Sequence, residues 1–379
     1  MEVRKQIKGQ KELREKVLNL GLCTNCGACV NLCPYLTLYK DQLIILDQCE
    51  KEEGRCYAFC PRTPTNIESL YRNFFTADDL TTELGAVKGF YMTRASDERV
   101  RLSSQHGGTV TTLITLAIHE GIIDTAILSE NMGSFLPQSI AVKDHLEVIK
   151  RAKSKFVVSP TIAKFNEIAK GDAEKIGTVV TPCQALALAK MRLKPFPSKD
   201  SNIHKLRLVV GLFCGWVFSW RELKGVLEHK IGNNSIIRLD IPPSKYHSME
   251  VHTKNGITEI SLAEVLPAVR KTCNYCFDMT AEFSDISVGS ARCPEGWEVA
   301  RGWNQVIVRT QVGQELIQLA RILGLLEFHD MPEGNLEKLK KASVNKKKSA
   351  LRNLADKSGK PDNLLYLDCQ DPVLNSLLG

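Results

Sequence analysis

The sequence predicts a mixed α/β (α+β) fold, in which a small cysteine-rich module precedes a larger body. Three observations lead to this class. Seven of the 13 cysteines lie between Cys23 and Cys60, and the first four have C-x2-C-x2-C-x3-C-P spacing. Strand-like and helix-like stretches then alternate over residues 85–330. A chain of 379 residues, 43% hydrophobic and 25% charged, is long enough for two or three domains with a real core.

The chain divides into four segments by composition. We expect an N-terminal helix over 1–20, a ferredoxin-like 4Fe-4S module over 21–75, the body over 85–330, and a basic helix with a C-terminal tail over 331–379. The basic stretch Lys338–Lys348 is most simply a solvated helix. The alternatives are that it steers an acidic ferredoxin or docks a neighbouring subunit, because clustered charge raises encounter rates.

The N-terminal residues, the apolar segments and the net charge argue against an exported, a membrane-spanning or a nucleic-acid-binding protein. The first residues, MEVRKQIKGQKELREKV, have no apolar core, so we expect no signal peptide, and Leu208–Phe218 is too short to span a bilayer. This predicts a cytoplasmic chain whose cysteines bind metal rather than form disulfides. The net charge of +7 counts every cysteine as neutral. Deprotonated cluster ligands would cancel most of it, so we expect no nucleic-acid partner.

The first cysteine run is typical of bacterial ferredoxins, in which three thiolates bind one cluster and the fourth reaches another. The pair Cys60-Pro61 repeats the ending Cys33-Pro34. Zinc and a disulfide framework are the alternatives for such a run. The ferredoxin pairing predicts these ligands for one 4Fe-4S cluster: Cys23, Cys26, Cys29 and Cys60.

A second cluster in the module has an incomplete set of ligands. Cys33, Cys49 and Cys56 would bind it, but glutamates occupy positions 50 and 53, where further cysteines would fall. Either this cluster is absent or a fourth group completes it. The candidates are Cys293 and Glu53.

The remaining cysteines of interest follow strand-like segments of the body. Cys183 follows Ile176–Thr181 and Cys214 follows Leu206–Phe213. If these strands are parallel, both cysteines lie at carboxyl ends, where α/β sheets bind ligands. Cys273 and Cys276 have the spacing of a metal-binding pair. The alternative is that Cys183 and Cys214 are buried apolar fillers.

A pair of glycines precedes an amphipathic helix near the start of the body. Apolar residues recur at helical spacing from Val110 to Ile118, and Gly121 ends the helix. Backbone N–H groups at such a helix start suit a phosphate, although a Gly-Gly pair is often an ordinary turn. Neither a GxGxxG fingerprint nor a Walker loop occurs, which argues against a Rossmann nicotinamide site.

Six stretches of the body form a specific set of motifs. They run from about Arg94 to Thr310 in this order: SSQHGGTVTTLITLAIHEGIID, SKFVVSP, IGTVVTPCQALALAKM, LVVGLFCGW, CNYCFDMTAEFSDISVGS and GWNQVIVRT. Together they resemble one known family, the beta subunit of coenzyme F420-reducing hydrogenase with its relatives in formate dehydrogenases and F420H2 oxidoreductases. The N-terminal module resembles the ferredoxin extension of many members.

The resemblance implies a bound FAD and a cubane cluster within a flavin domain. By motif, that cluster's ligands are Cys183, Cys214, Cys273 and Cys276. The residues implied in FAD binding are Gln105, Gly107, Gly108, Thr109, Lys155, Ser159, Pro160, Thr181 and Gln184. The alternative for Lys155 is an ordinary surface lysine. The alternative for Thr181 or Gln184 is a simple helix cap. The cofactor set is therefore FAD with two or three 4Fe-4S clusters, and no side chain is assigned as catalytic.

One loop departs from the family pattern. The stretch ARCPEGWEVAR, from Ala291 to Arg301, is longer than its counterpart and contains Cys293. Its length puts in doubt whether the deazaflavin pocket of the family is kept. We expect Trp297 and Trp303 to pack in the interior and Arg309 to be a surface charge.

The function implied by the resemblance is that of an oxidoreductase subunit. Bound FAD would exchange a hydride with a soluble carrier of the coenzyme F420 type, and the clusters would relay single electrons. The partner would be a hydrogenase, a formate dehydrogenase or a heterodisulfide-reductase-like complex. One alternative is a ferredoxin-linked reductase that does not use coenzyme F420. Another is a zinc-stabilised nucleic-acid-binding protein, which leaves the ferredoxin spacing unexplained.

Overall fold

The computed structural model describes residues 8–132, 136–193, 201–232, 236–242 and 246–378. Residues 1–7 of the expected N-terminal helix lie outside this part. The strands are β1 Leu36–Tyr39, β2 Gln42–Ile45, β3 Leu80–Thr81, β4 Gly85–Ala86, β5 Gly89–Ala95, β6 Thr125–Met132, β7 Leu136–Val142, β8 Ile176–Val180, β9 Leu206–Leu212, β10 Ile236–Asp240, β11 Ser248–Thr253, β12 Gly256–Ser261, β13 Ile286–Ser290, β14 Asn304–Val308 and β15 Leu326–His329.

The helices are α1 Gln10–Leu13, α2 Arg55–Ala58, α3 Ile67–Phe74, α4 Glu98–Ser103, α5 Thr109–His119, α6 His145–Lys150, α7 Thr161–Ile168, α8 Pro182–Arg192, α9 Trp220–Ile231, α10 Leu262–Val265, α11 Trp297–Ala300, α12 Gln311–Ile322, α13 Asn335–Ser358 and α14 Pro372–Leu378. A π-helical turn, Arg14–Leu18, extends α1, and a 3₁₀ turn covers Lys271–Tyr275. None of the helices in the described ranges is both long enough and apolar enough to cross a bilayer.

The N-terminal module has a small core of its own. The hairpin of β1 and β2 pairs antiparallel, and α1 with its π-helical turn covers the adjacent cysteine loop. Its fully buried members are Leu13, Val17, Leu22, Leu36 and Tyr57. Half-buried cysteines pack around this core, so the thiols face an apolar surrounding.

The body is built on an eight-stranded sheet in the order β15-β5-β14-β13-β9-β8-β6-β7. Strands β6, β8, β9 and β13 are parallel, and the outer strands are antiparallel. The condition stated for Cys183 and Cys214 is met, because β8 and β9 are parallel and both cysteines follow strands that end at the same edge. We call this the carboxyl edge of the sheet.

Helices cover both faces of the sheet. Helices α5 and α12 pack on one face, and α5 buries Leu113, Ile114 and Ala117, which confirms the predicted amphipathic helix. Helices α7 and α8 belong to the core of the other face, together with parts of α3, α13 and α14. Between β9 and β13 in the sequence, β10, β11 and β12 form a second, antiparallel sheet. This sheet packs with α9 in a separate hydrophobic cluster.

The basic C-terminal helix is not simply a solvated helix. Lys347 of α13 is fully buried, and its Nζ lies 2.6 Å from Oε1 of Glu282, which is also fully buried. Leu351 and Leu354 of the same helix pack in the main core. The expectation of a solvated helix is therefore wrong for this face, because apolar positions among the lysines anchor the helix to the body.

Arg309 is also placed differently from the sequence expectation. It is 1% exposed rather than a surface charge. Its guanidinium donates to the carbonyls of Leu84 and Ala86 at 2.6 and 2.8 Å and to the carbonyl of Thr280 at 3.0 Å. It thus satisfies backbone acceptors in the short β3–β4 hairpin, a long-range role that local sequence does not reveal. Trp297 and Trp303 are buried, as expected.

Candidate metal centres

A central cavity with about 390 Å³ of empty volume lies at the carboxyl edge of the sheet. Its cysteines are Cys183, Cys214, Cys273 and Cys276. Cys183 lies in the first turn of α8, which Pro182 begins, and Cys214 comes two residues after β9. The 3₁₀ turn contains Cys273, and Cys276 comes directly after that turn. The four residues that the motifs implied are therefore brought around one space, although they come from three separate segments of the chain.

A second cavity, the N-terminal cavity, has about 350 Å³ of empty volume. Its cysteines are Cys23, Cys26, Cys29 and Cys60. The side chains of Leu13, Val17 and Leu43 supply apolar walls. The structure thus collects the four residues that the ferredoxin spacing paired, including Cys60 from the far end of the module.

The thiols of both cavities are unfavourable places for negative charge in the absence of a cation. Burial raises the pKa of Cys183 and of Cys60 to about 11. Burial also raises the pKa of Cys214, and the charges of neighbouring cysteines raise it further. A cluster that takes up four thiolates would remove this repulsion, with release of protons on binding.

The donor sets fit cubane clusters better than the alternatives for such cysteines. All 13 cysteines are free thiols, so a disulfide framework is not formed. Among the residues that the structure describes, no three His, Cys, Asp or Glu side chains are grouped to hold a single metal ion. Eight cysteines instead line two cavities, four in each, as the ligands of two polynuclear clusters would.

The two cavities share a wall. Thr24 lines both of them, and Arg62 and Arg270 line the central cavity while contacting the module. The backbone N–H of Arg62 donates to Sγ of Cys60 at 3.4 Å, and Nη2 of Arg270 donates to the carbonyl of Cys23 at 3.3 Å. Burial raises the pKa of Cys26 most, followed by the charge of Cys60 and then that of Cys183. Because Cys183 belongs to the central cavity, the cysteines of the two cavities are neighbours.

A third group of cysteines, Cys33, Cys49 and Cys56, has only three members. Burial raises the pKa of Cys56 to about 12, and Cys33 and Cys49 raise it further, so these three thiols lie near one another. Glu53, one candidate for the missing ligand, is exposed. The fourth ligand of this group stays an open prediction.

Cys293 does not join the third group. It packs against the cluster of Met92, Ala291 and Trp303 beside the carboxyl edge. Burial raises the pKa of its thiol, and the charge of Glu295 raises it further. The prediction that Cys293 completes the module's second cluster is corrected by this placement, because the long loop folds onto the body instead. Cys369 packs against the main core.

Part of the residue set implied in FAD binding lies around the start of α5. Oε1 of Gln105 accepts from the backbone N–H of Ser154 at 3.2 Å, which brings this turn close to Lys155. A Cβ at Gly107 would lie 3.0 Å from Oδ1 of Asn304, and that oxygen accepts from the N–H of Thr109 at 3.2 Å. Packing against Asn304 therefore explains the glycine at position 107, and the Asn304 side chain caps the first amide of α5.

The other residues implied in FAD binding lie beside the central cavity. Gln184 and Thr181 form a capping box at the start of α8, and Nε2 of Gln184 donates to the carbonyl of Ser159 at 2.6 Å. Gln184 therefore acts as a helix cap, the alternative to FAD binding given for it above, and its side chain is only 2% exposed. Thr181 lines the central cavity, and the carbonyl of Pro160 accepts from the N–H of Ala163.

Lys155 lies between these two groups in the chain and is half-buried. Its Nζ donates to the carbonyl of Ala152 at 3.4 Å. Burial lowers the pKa of Lys155, and the nearby positive charges of Lys153 and Arg151 lower it further. An anion would stabilise the charged form of this lysine.

Sequence reasoning missed the cationic residues of the central cavity. Arg62, Arg270 and Lys346 all line it. Arg62 comes two residues after Cys60, and Arg270 comes three before Cys273. A cation so close to a ligand cysteine was the available signal, but local sequence does not show that two separate segments meet at one cavity.

Comparison with known families and proteins agrees with these features. The sequence model of the coenzyme F420 hydrogenase/dehydrogenase beta subunit N-terminus matches residues 90–165, and that of its C-terminus matches residues 173–334. A 4Fe-4S binding domain matches residues 16–39. The chain is 30% identical to the beta subunit of coenzyme F420 hydrogenase of Methanothermobacter thermautotrophicus, over 72% of this chain and 95% of that protein.

Two further matches cover more of this chain. The chain is 26% identical to a subunit of the F(420)H(2) dehydrogenase of Methanosarcina mazei, over 88% of this chain and 91% of that protein. It is also 26% identical to coenzyme F420-dependent sulfite reductase of Methanocaldococcus jannaschii, over 86% of this chain but only 51% of that protein.

The fold has a counterpart among solved structures. A chain of the F420-reducing [NiFe] hydrogenase complex from Methanosarcina barkeri superposes with a TM-score of 0.65 at 26% identity, over 72% of this chain and 93% of that one. The mixed α/β fold and the family motifs therefore agree with one another. The chain belongs to the family of coenzyme F420 hydrogenase/dehydrogenase beta subunits.

Proposed function

We propose that this chain is an electron-transfer subunit that connects a two-electron carrier of the coenzyme F420 type, through FAD and 4Fe-4S clusters, to a partner oxidoreductase. The partner classes are a hydrogenase, a formate dehydrogenase or a heterodisulfide-reductase-like complex. The names of the relatives, which include subunits of F420 hydrogenase and of F420H2 dehydrogenase, support the carrier and the assembly into a complex.

The observation that carries the proposal is the pair of four-cysteine cavities with a common wall. Cys183, Cys214, Cys273 and Cys276 would hold one cluster, and Cys23, Cys26, Cys29 and Cys60 would hold another. Cys33 and Cys49 lie near Cys56, and the charge of Cys60 also acts on Cys56. The thiol groups therefore follow one another from the module into the body, as a relay for single electrons requires.

The FAD would lie along the carboxyl edge between the start of α5 and the start of α8. Strands β5 and β8, which lead to these two places, are four strand spacings apart, about 19 Å, which suits an extended dinucleotide. Lys155 would bind a phosphate, and Thr181 would lie near the ring beside the central cavity. FAD supplies chemistry that exchanges two electrons with one partner and single electrons with another.

The first test is the content of iron, sulfide and flavin per chain after anaerobic reconstitution. About twelve irons and one FAD are expected for three cubane clusters, at about four irons each. About eight irons would leave the third cysteine group empty. Zinc without flavin would refute the proposal.

The flavin site has its own test. Lys155→Ala removes a charged contact to a phosphate, which should weaken FAD binding at least roughly tenfold. Lys164→Ala is the matched control, because its Nζ pairs with Glu167 on the surface of α7. Equal FAD affinity in the two variants would remove Lys155 from the site while leaving the cluster relay intact.

A second candidate function is a ferredoxin-linked reductase that does not use coenzyme F420. The long loop favours it. Trp297 of this loop lies 5.5 Å, ring centre to ring centre, from His106 next to the Gly107 turn, and Arg301 binds Glu250 at 2.8 Å. The loop therefore covers part of the carboxyl edge. Reduction of the loaded chain by reduced ferredoxin, with no reaction toward reduced coenzyme F420, would favour this function.

A further inference from the structure

Two arginines lie between the cysteine groups, and one of them lacks a carboxylate partner. Arg62 is 3% exposed. Its guanidinium donates to the carbonyls of Tyr275 and Thr272 at 2.9 and 3.4 Å and to the hydroxyl of Tyr366. Within the described residues, no carboxylate forms an ion pair with it. A buried positive charge with only neutral partners is costly, so an anion is needed nearby.

The second arginine contacts both the module and the central cavity. Arg270 lines the cavity, donates to the carbonyl of Cys23, and lies 3.6 Å from Oδ2 of Asp41. Its side chain is 14% exposed. The two arginines come from opposite sides, since Arg62 belongs to the module and Arg270 to the body.

Polar atoms at this wall are left without partners. Nε of Arg62, Nε of Arg270 and Oγ1 of Thr24 are buried and have no hydrogen-bond partner in the part of the chain that is described. All three residues line the central cavity. Buried donors of this kind are normally satisfied, so their convergence on one cavity indicates an acceptor that belongs there.

We propose that Arg62 and Arg270 tune the cluster of the central cavity, by offsetting its negative charge and donating hydrogen bonds to its sulfurs. This inference rests on the proposed function, since it requires a cluster among Cys183, Cys214, Cys273 and Cys276. Reduction of the cluster adds one electron and one negative charge, with no bond made or broken. Positive charge and N–H donors next to the sulfurs raise the reduction potential.

The two arginines lie at the wall between the cysteine groups. The backbone N–H of Arg62 donates to Cys60 Sγ, and Nη2 of Arg270 donates to the Cys23 carbonyl. Both residues also line the central cavity. We therefore expect them to raise the reduction potential of the cluster in that cavity.

The test is a redox titration of the full, iron-loaded chain with dithionite, followed by electron paramagnetic resonance. The signal of the central cluster is the one that Cys214→Ser removes. In Arg62→Gln we expect the reduction of this cluster to be disfavoured about tenfold, which is about 59 mV for a one-electron couple. Arg62→Lys keeps the charge and should restore most of the potential. Arg301→Gln removes a charge that pairs with Glu250 and does not line the central cavity, so it should not shift the potential.

Several outcomes would overturn the inference. One is an Arg62→Gln chain with full iron content and the potential of the unaltered chain. If Arg62→Gln does not fold or load, Arg270→Gln decides, and an unchanged potential in that loaded variant refutes the tuning role. Absence of clusters from the unaltered chain would instead refute the proposed function, so the two failures are distinguishable.

Discussion

Gly27 lies where the cysteine loop of the module meets the body, and its replacement gives the sharpest test of the docking. Its φ is +87°, and a Cβ built there would lie 2.6 Å from the backbone N of Ala163 and 2.9 Å from the Ala163 Cβ. In the same loop, the carbonyl of Cys26 accepts from the N–H of Ile162 at 3.2 Å. Gly27→Ala therefore strains the loop and pushes it away from α7.

The size of the effect follows from two contributions. A left-handed backbone costs a non-glycine residue about 1–2 kcal/mol, and overpacking costs about 1–3 kcal/mol more. Gly21 is the matched control, because its φ is +65° but nothing lies within 4 Å of a Cβ there. Gly21→Ala should show only the first contribution, so the two variants should differ in free energy of unfolding by about 1–3 kcal/mol.

The assay is the thermal unfolding midpoint of each loaded variant, measured anaerobically at equal iron content. With an unfolding entropy of about 2.1 cal/mol/K per residue, the chain would have about 0.8 kcal/mol/K, so the midpoint of Gly27→Ala should lie roughly 1–4 °C below that of Gly21→Ala. Equal midpoints would show that the close approach of Gly27 to Ala163 does not hold the module to the body, and would refute the reasoning.

Three further predictions concern buried contacts. Lys347→Met should destabilise the chain to urea by about 3–5 kcal/mol, because it leaves the charge of Glu282 buried and unpaired; adding Glu282→Gln should recover part of the loss. Cys214→Ser should lower the iron content by about four per chain, whereas Cys369→Ser should leave it unchanged. Asp371→Ala should cost about 1–3 kcal/mol in urea denaturation, because the first amides of α3 lose the buried carboxylate that accepts from them at 2.5 and 3.0 Å.

Each of these predictions has an outcome that contradicts it. A Lys347→Met chain as stable as the unaltered one would mean that the lysine is not needed to balance the glutamate. Full iron content in Cys214→Ser would mean that the central cavity is not the cluster site, and iron loss from Cys369→Ser would mean that Cys369 is not simply a packed thiol. Unchanged stability of Asp371→Ala would show that solvent replaces the carboxylate at α3.

Much of the candidate site could be read from the chain because its ligands come in short-range patterns. The spacing from Cys23 to Cys33 and the pair Cys273 and Cys276 are local, and so is the placement of Cys183 after a strand. Cys214 would lie at the same edge if its strand ran parallel to that of Cys183, and β8 and β9 are parallel in the structure. The family motifs supplied the rest of the body.

Other predictions failed because they concern residues far apart in sequence. Cys293 was a candidate for the module, yet its loop packs on the body near Trp303. Arg309 and Lys347 look like surface charges in sequence, but each is buried against acceptors more than 20 positions away. Nothing in their own neighbourhood distinguishes them from solvated cations.

In the sequence by itself, cysteine spacing indicated the ligands of the module, and the alternation of strands and helices indicated the mixed α/β class, because both are local patterns. The resemblance of six motifs indicated the family and the four cysteines of the central cavity. Only the tertiary structure decided that the two four-cysteine cavities share a wall, and that Arg62 and Arg270 meet there without full hydrogen bonding. The physical reason is that burial and partnership of a charge are set by which distant segments pack together.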